Sequence, residues 1–478
     1  MIVHYALFAV GALAMMFLLC AINRRESGGE YIATPLLLFC FHEATFVWPA
    51  AIFARIDGVS EDNYASLVIL SSSFAFIAGY MLLRNNAAWA TCGPLRFWSQ
   101  PLVRPNEPAH LAAIILCATL FMLVGLYLFQ GLPPALTGMH EFLRHGYATG
   151  ANETLAEQRL ELTKGHFFGG EYRGQGAIRL LFRVGWPYLA TICIVLYLQS
   201  RQTVWRILSV GLVLACYVYI GGDGTRGPVL WSFVSILVAA SYYARIRLHT
   251  LAWFGTFLLL ALVALSLPQK LSKVEAEGGT WKDGVRQLAE RIFFGNGINS
   301  VYVIEYVRSG HIDLRWGGIH CTDAGAALPF VSSGTPFTYE LFLLQNPDAK
   351  ESRTTLSSMT YLGCLYGDFG WPGAVIGFFL IGAITAAVSR SLFRRPKTAA
   401  NVAFIGMTVM SLGQLNLFGT VYSGMTLLVL TFVAKLHGFC LTLAASRNQS
   451  SRRLVGRQLG AMSKKRTLPG PTGPYPRA

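Results

Sequence analysis

Apolar residues run along this chain in long blocks separated by short polar stretches. The blocks fall at about 4–22, 33–54, 64–83, 110–131, 178–199, 204–221, 227–244, 249–267, 371–390, 400–417 and 420–441. Each is close to the roughly 20 residues that a helix needs to cross a hydrocarbon core of about 30 Å. Helices are the only reading for them, because backbone groups facing lipid must be paired within the segment. The pattern predicts an all-α, polytopic transmembrane bundle of about eleven spans. An extra or re-entrant segment near 356–368 would raise the number to twelve. Residues 3–22 follow no basic stretch, so they are expected to be a retained first helix and not a cleaved signal peptide.

The polar stretches between blocks are of two kinds. With the N-terminus outside, one side collects Arg24 and Arg25, then Arg84, Arg96 and Arg104, then Arg201 and Arg206, then Arg245 and Arg247, and finally Arg390, Arg394, Arg395 and Lys397. On the other side, the short connections carry Arg55, Arg226 or no basic residue. Basic loops face the cytoplasm, so a periplasmic N-terminus and a cytoplasmic C-terminus are predicted, in a bacterial inner membrane. Two long segments, about 132–177 and 268–370, then lie outside. Loops of that length are functional or disordered. Both hold aromatic residues and an amphipathic stretch, so structure is expected. Within 283–308, Val285, Leu288, Ile292, Val301, Ile304 and Val307 recur at helical spacing, which predicts a helix at the membrane interface. Residues 1–445 thus form one transmembrane domain. The basic tail 446–478, rich in Ser, Pro and Gly, is expected to be disordered and cytoplasmic.

Composition agrees with the blocks. The chain is 53% hydrophobic and 13% charged, against about 25% charged in soluble domains. Its net charge of +15 sits between blocks and in the tail, where it orients helices and meets anionic lipid. No nucleic-acid motif accompanies it, so a nucleic-acid partner is not expected. Six of the nine cysteines (Cys20, Cys40, Cys117, Cys193, Cys216, Cys440) fall inside apolar blocks and read as small buried hydrophobes. Cys321 lies in a polar loop. No Cys/His metal spacing occurs, and neither a metal nor a cofactor is expected.

Basic residues on the outer side run against the usual bias and so are candidates for chemistry. Arg226 sits with Asp223 in the tight loop GGDGTRG (221–227), where glycines permit close backbone approach and a helix start points free N–H groups outward. Arg179 and Arg183 stand one turn apart on one helix face. Arg173 and Tyr172 precede them in GGEYRGQG (169–176). Arg291 lies on the amphipathic stretch. Arginine's planar fork suits bidentate contact with phosphate. Carboxylate and histidine candidates for a general base are Glu171, Asp223, His320, Asp323, Glu340 and Asp368. Asp368, in YGDFGWPG (366–373), sits at the mouth of a span beside backbone expected to be irregular. His42 and Glu43 fall inside the second span, where ionisable residues are either functional or bonded between helices.

Three places give the chain a resemblance to bacterial polysaccharide polymerases that join lipid-linked oligosaccharide repeat units, the O-antigen and enterobacterial common antigen group. They are the Gly-Thr-Arg turn in GGDGTRG, the sequence RLLFRVGWP (179–187), and the second long loop. That loop runs through RIFFGN (291–296), LPFVSSGTPFTYE (328–340) and YLGCLYGDFGWPG (361–373). An Arg-x10-Gly spacing discussed for such enzymes occurs at Arg159–Gly170 and Arg286–Gly297. With the topology, the resemblance covers roughly residues 110–441.

The resemblance implies a GT-C-like fold and a glycosyltransferase of lipopolysaccharide biosynthesis that needs no metal. Its donor would be a growing glycan on undecaprenyl diphosphate, and its acceptor a single lipid-linked unit. Arg226 and Arg291 would stabilise the departing diphosphate, with Arg159, Arg173, Arg179 and Arg183 around it. Tyr172, Asp223, Glu340 and Tyr361 would touch diphosphate or glycan. Asp368, His320 or Asp323 would take the acceptor's proton. A chain-length regulator and a flippase are the implied partners. An O-antigen ligase, or a flippase or exporter of lipid-linked glycan, are the alternatives.

Overall fold

A computed structural model describes residues 21, 33–56, 62–84, 93–103, 105–129, 175–220, 226–244, 280–284, 295–321, 337–346 and 359–465. At 53–56, 127–129, 175–179, 226–228, 296, 417–422 and 447–465 the description covers backbone alone. Helices dominate, and no strand occurs among the described residues. They are α1 (Pro35–His42), a π-helical turn (Glu43–Val47), α2 (Trp48–Ile56), α3 (Tyr64–Arg84), α4 (Pro94–Ser99), α5 (Glu107–Phe129), α6 (Gln175–Ser200), α7 (Thr203–Ile220), α8 (Arg226–Ser241), α9 (Gly295–Arg308), α10 (Phe337–Gln345), α11 (Tyr361–Leu392), α12 (Ala399–Gly413) and α13 (Leu415–Lys465). Seven stretches are long and apolar enough to cross a membrane, and two shorter apolar helices, Val229–Ser241 and Ala399–Gly413, accompany them. Together they fall on nine of the eleven apolar blocks. Block 249–267, and block 4–22 apart from Ala21, lie outside the described residues. The protein is a helical, multi-pass membrane protein.

Local signals explain several boundaries. Thr34 caps α1 by accepting Leu37 N–H at 3.2 Å, and Pro35 follows at the first helical position, where its missing N–H costs nothing. Thr398 caps α12 in the same way through Asn401 N–H at 3.1 Å. Gly370 breaks α11 with φ 67° and ψ −164°, a conformation that only glycine adopts without strain. The segment expected near 356–368 is therefore the first part of α11, set off from the long span 371–392 by this break.

Two hydrophobic cores organise the bundle. One joins α1 to α3 with α9, α10 and α11 around Phe39, Phe76, Ile304 and Phe378. The other joins α5 to α8 with α12 and α13 around Phe121, Trp186, Tyr188 and Met410. In the first core, α3 and α11 meet backbone to backbone. A Cβ on Gly79 would lie 1.9 Å from Phe379 O, and one on Gly382 would lie 2.1 Å from Phe76 O. Small residues allow such approach between membrane helices, where lipid supplies no hydrophobic drive of its own. Leu82, Ile207, Leu214, Ile376 and Leu428 remain exposed on helices apolar enough to face lipid.

Two expectations are corrected. The tail is helical through Lys465 and not disordered from 446. Its first twenty residues contain no proline and only two glycines beyond good helix formers such as Arg, Gln, Leu and Ala, so the helix begun in the apolar block continues. The amphipathic stretch, described from Gly295, also does more than rest at an interface. Val301, Val303 and Ile304 of α9 are fully buried. Gly297 lies so close to the π-helical turn that a Cβ there would sit 2.4 Å from Phe46 O.

Candidate functional site

The break at Gly370 builds a polar site at the end of α11's long span. The turn before it leaves the carbonyls of Gly367 and Asp368 free, and a loop straps onto them. Arg315 N–H donates to Gly367 O at 3.0 Å, and Trp316 N–H to Asp368 O at 2.9 Å. Trp316 and Gly317 then take consecutive positive φ values, 49° and 93°. That reversal turns the helical residues 318–321 so that the N–H groups of Ile319 and His320 face Asp368.

The Asp368 side chain is completely buried and receives three N–H donors. Ile319 N–H reaches Oδ1 at 2.9 Å, and His320 N–H reaches Oδ2 at 3.2 Å. His320 Nδ1 also bonds to Oδ2. Three donors on one carboxyl fit its ionised form and set the imidazole tautomer: Nδ1 carries the proton and Nε2 is left as an acceptor. Nε2 meets the Tyr361 hydroxyl at 3.0 Å, so Tyr361 O–H donates to it. The Tyr361 and Phe369 rings flank the imidazole at centroid distances of 5.2 and 6.4 Å. His320 keeps 24% of its side chain exposed, so a reactant has access to it.

Beside this cluster, Arg315 pairs with Glu340 of α10 at 2.6 Å and lies 5.9 Å from the Phe337 ring centre. A groove of about 560 Å³ runs between the two segments, lined by His311, Asp313, Arg315, Glu340, Leu343 and Leu344 among others. Charged and aliphatic groups share its walls.

Three sequence candidates, His320, Asp368 and Tyr361, thus meet in one hydrogen-bonded cluster, and Glu340 stands in the adjoining groove. Arg183 is half-buried on α6, in the other core. Arg226 starts α8, and Arg179 lies in α6, but their side chains lie outside the description. Arg159, Tyr172, Arg173, Asp223, Arg291 and Asp323 lie outside the described residues altogether. Among the described residues no three His, Cys, Asp or Glu side chains gather as a metal-binding group. Arg315 was missed by sequence reasoning, although it is another basic residue in the loop 268–370 expected to lie outside, and that criterion should have found it. Comparison with protein-family models, curated proteins and solved structures finds no match to this chain, so the family resemblance rests on the motifs themselves.

Proposed function

We propose that this protein is a membrane glycosyltransferase that joins lipid-diphosphate-linked oligosaccharide repeat units on the non-cytoplasmic side of a bacterial inner membrane. The observation that carries the proposal is the histidine whose Nδ1 is anchored on buried Asp368 while its Nε2 stands as an acceptor. That arrangement suits a general base for a sugar hydroxyl. The Tyr361 hydroxyl marks where the acceptor hydroxyl would sit.

In the reaction, the acceptor oxygen attacks the donor's anomeric carbon and the bond from that carbon to the diphosphate oxygen breaks. The diphosphate leaves with the electron pair. The hydroxyl proton passes to His320 Nε2, and the Asp368 carboxylate stabilises the imidazolium that forms. Diphosphate is a good leaving group, so it needs charge stabilisation more than a proton. The outer-face arginines Arg226 and Arg291, with Arg173, Arg179 and Arg183, are the groups proposed to supply it. The groove at Arg315 and Glu340 suits the glycan.

A second reading is a flippase of lipid-linked glycan. The helix break at Gly370 favours it, since transporters place substrates at interrupted helices. One experiment separates the two: purified protein in lipid vesicles with lipid-diphosphate repeat units and EDTA. A ladder of products supports the polymerase. Lipid crossing the vesicle wall with no chain growth overturns it in favour of the flippase.

A further inference from the structure

Glu43 has no part in the reaction proposed above, yet it is 1% exposed and opens the π-helical turn inside the apolar stretch Pro35–Ile52. π-Turns recur at functional sites. The groups around Glu43 are specific. Asn416 Nδ2 donates to its Oε1. Ser73 Oγ lies 2.8 Å from Oε2. No ion pair involves Glu43 among the described residues. The neighbouring His42 is turned away, with Nδ1 bonded to Gly413 O at 3.0 Å.

Counting hydrogens decides the form of the carboxyl. Ser73 Oγ has three neighbours: Trp48 Nε1 at 3.3 Å, Ile69 O at 3.0 Å and Glu43 Oε2 at 2.8 Å. The indole can only donate and the carbonyl can only accept. A hydroxyl has one hydrogen and two lone pairs. If Glu43 Oε2 carries a proton, every contact is satisfied at once: Trp48 and Glu43 donate to Ser73, and Ser73 donates to Ile69. If Glu43 is ionised, Ser73 must choose between Glu43 and Ile69. A buried carboxylate with no cation beside it among the described residues would also carry a large desolvation cost.

The network then reaches the site. The other end of the Asn416 amide, Oδ1, accepts Leu362 N–H at 3.0 Å. The first N–H groups of a helix need partners from outside it. Thr360, the N-cap of α11, makes no side-chain cap, because its hydroxyl bonds to Ser300 Oγ at 2.7 Å and its N–H reaches the same oxygen at 2.9 Å. Asn416 therefore caps the first turn in its place, one residue from Tyr361.

We propose that Glu43 is a neutral carboxylic acid and a positioning residue, which orients Asn416 and through it fixes the first turn of α11 with Tyr361 against His320. Where activity is concerned, this rests on the reading of His320 as the base.

The test uses the full-length protein in lipid nanodiscs. The infrared difference between wild type and Glu43→Gln at neutral pH should show a carboxylic-acid carbonyl band that belongs to Glu43. A carboxylate band in its place would overturn the neutral form. Hydrogen exchange in the peptide over 359–366 reads the positioning. Glu43→Ala should speed it about fivefold, the factor expected for one lost hydrogen bond, and Glu43→Gln should leave it unchanged because its amide replaces both contacts. Unchanged exchange in Glu43→Ala would overturn the positioning role. If that variant does not fold, Asn416→Ala reads the same contact. In the polymerisation assay, Glu43→Ala should lower kcat with little change in KM, and Glu43→Gln should restore it. If wild type makes no polymer, the catalytic reading fails while the infrared and exchange results still decide Glu43.

Discussion

The role proposed for the His320 imidazole follows from where its two nitrogens point. Nδ1 is committed to a carboxylate that also holds two backbone N–H groups, which leaves Nε2 one orientation and one tautomer. Replacing His320 with Ala should lower polymerisation by about 10²- to 10⁴-fold, the usual contribution of a general base, with expression and thermal stability little changed. Asp368→Asn should approach the same loss, since an amide cannot serve as the acceptor for three N–H groups at once. Tyr361→Phe should be the mildest, because its ring still flanks and orients the imidazole and the acceptor hydroxyl takes the place of its own. A rate assay on lipid-linked repeat units ranks the three, and wild-type rates in all of them would remove the base from this cluster. His320, Asp368 and Tyr361 were each legible in the sequence as separate candidates. Their meeting was not, because it depends on two consecutive positive-φ residues and a glycine break that bring together positions 48 and 41 residues apart. The Ser73 and Asn416 contacts to Glu43 were hidden for a similar reason: neutral polar residues in apolar blocks give no signal until a partner faces them.

Helices in this protein are positioned by a few backbone features. Gly370→Ala puts a Cβ on a residue at φ 67° and ψ −164°, which should cost about 1–3 kcal/mol and misplace Asp368 with it. Gly382→Ala drives a Cβ to 2.1 Å from Phe76 O, and overpacking of this kind should cost about 1–3 kcal/mol or more. Unfolding midpoints in one detergent would check both. At the opposite end of α11, about 33 Å away over 22 residues at 1.5 Å each, Lys397 Nζ donates to Trp98 O. Burial pushes its ammonium below the ordinary lysine range. The folded state therefore holds this proton less tightly than the unfolded chain does, and stability should rise with pH between the lowered value and 10.5. Lys397→Met should flatten that slope in melts taken across the alkaline range. The apolar blocks foretold most helices because lipid enforces both length and composition. The irregular backbone at 366–373 was legible from its glycines and proline, whereas the π-turn and the helical run past 446 were not, since each depends on packing or on the absence of a stop signal.

For the whole molecule, the bundle makes sense as an enzyme only if the His320 cluster and the basic end of α11 lie on opposite sides of the membrane. The span 371–392 separates Asp368 from Arg394, Arg395 and Lys397, and positive charge retained near the cytoplasm would place the cluster outside. Native cysteines offer a direct probe. Cys321 adjoins His320 and is exposed, whereas Cys40, Cys117, Cys193, Cys216, Cys364 and Cys440 are buried. A membrane-impermeant maleimide applied to spheroplasts should label the wild-type protein at Cys321 and lose that label in Cys321→Ser. An Arg394→Cys variant made in the Cys321→Ser background should be labelled only after the membrane is opened. A lipid-linked acceptor bound at the cluster should also slow the labelling of Cys321. If Arg394→Cys is labelled in intact spheroplasts and Cys321 is not, the orientation is inverted. A polymerase joining exported repeat units could not then work at this site, however well its histidine is poised.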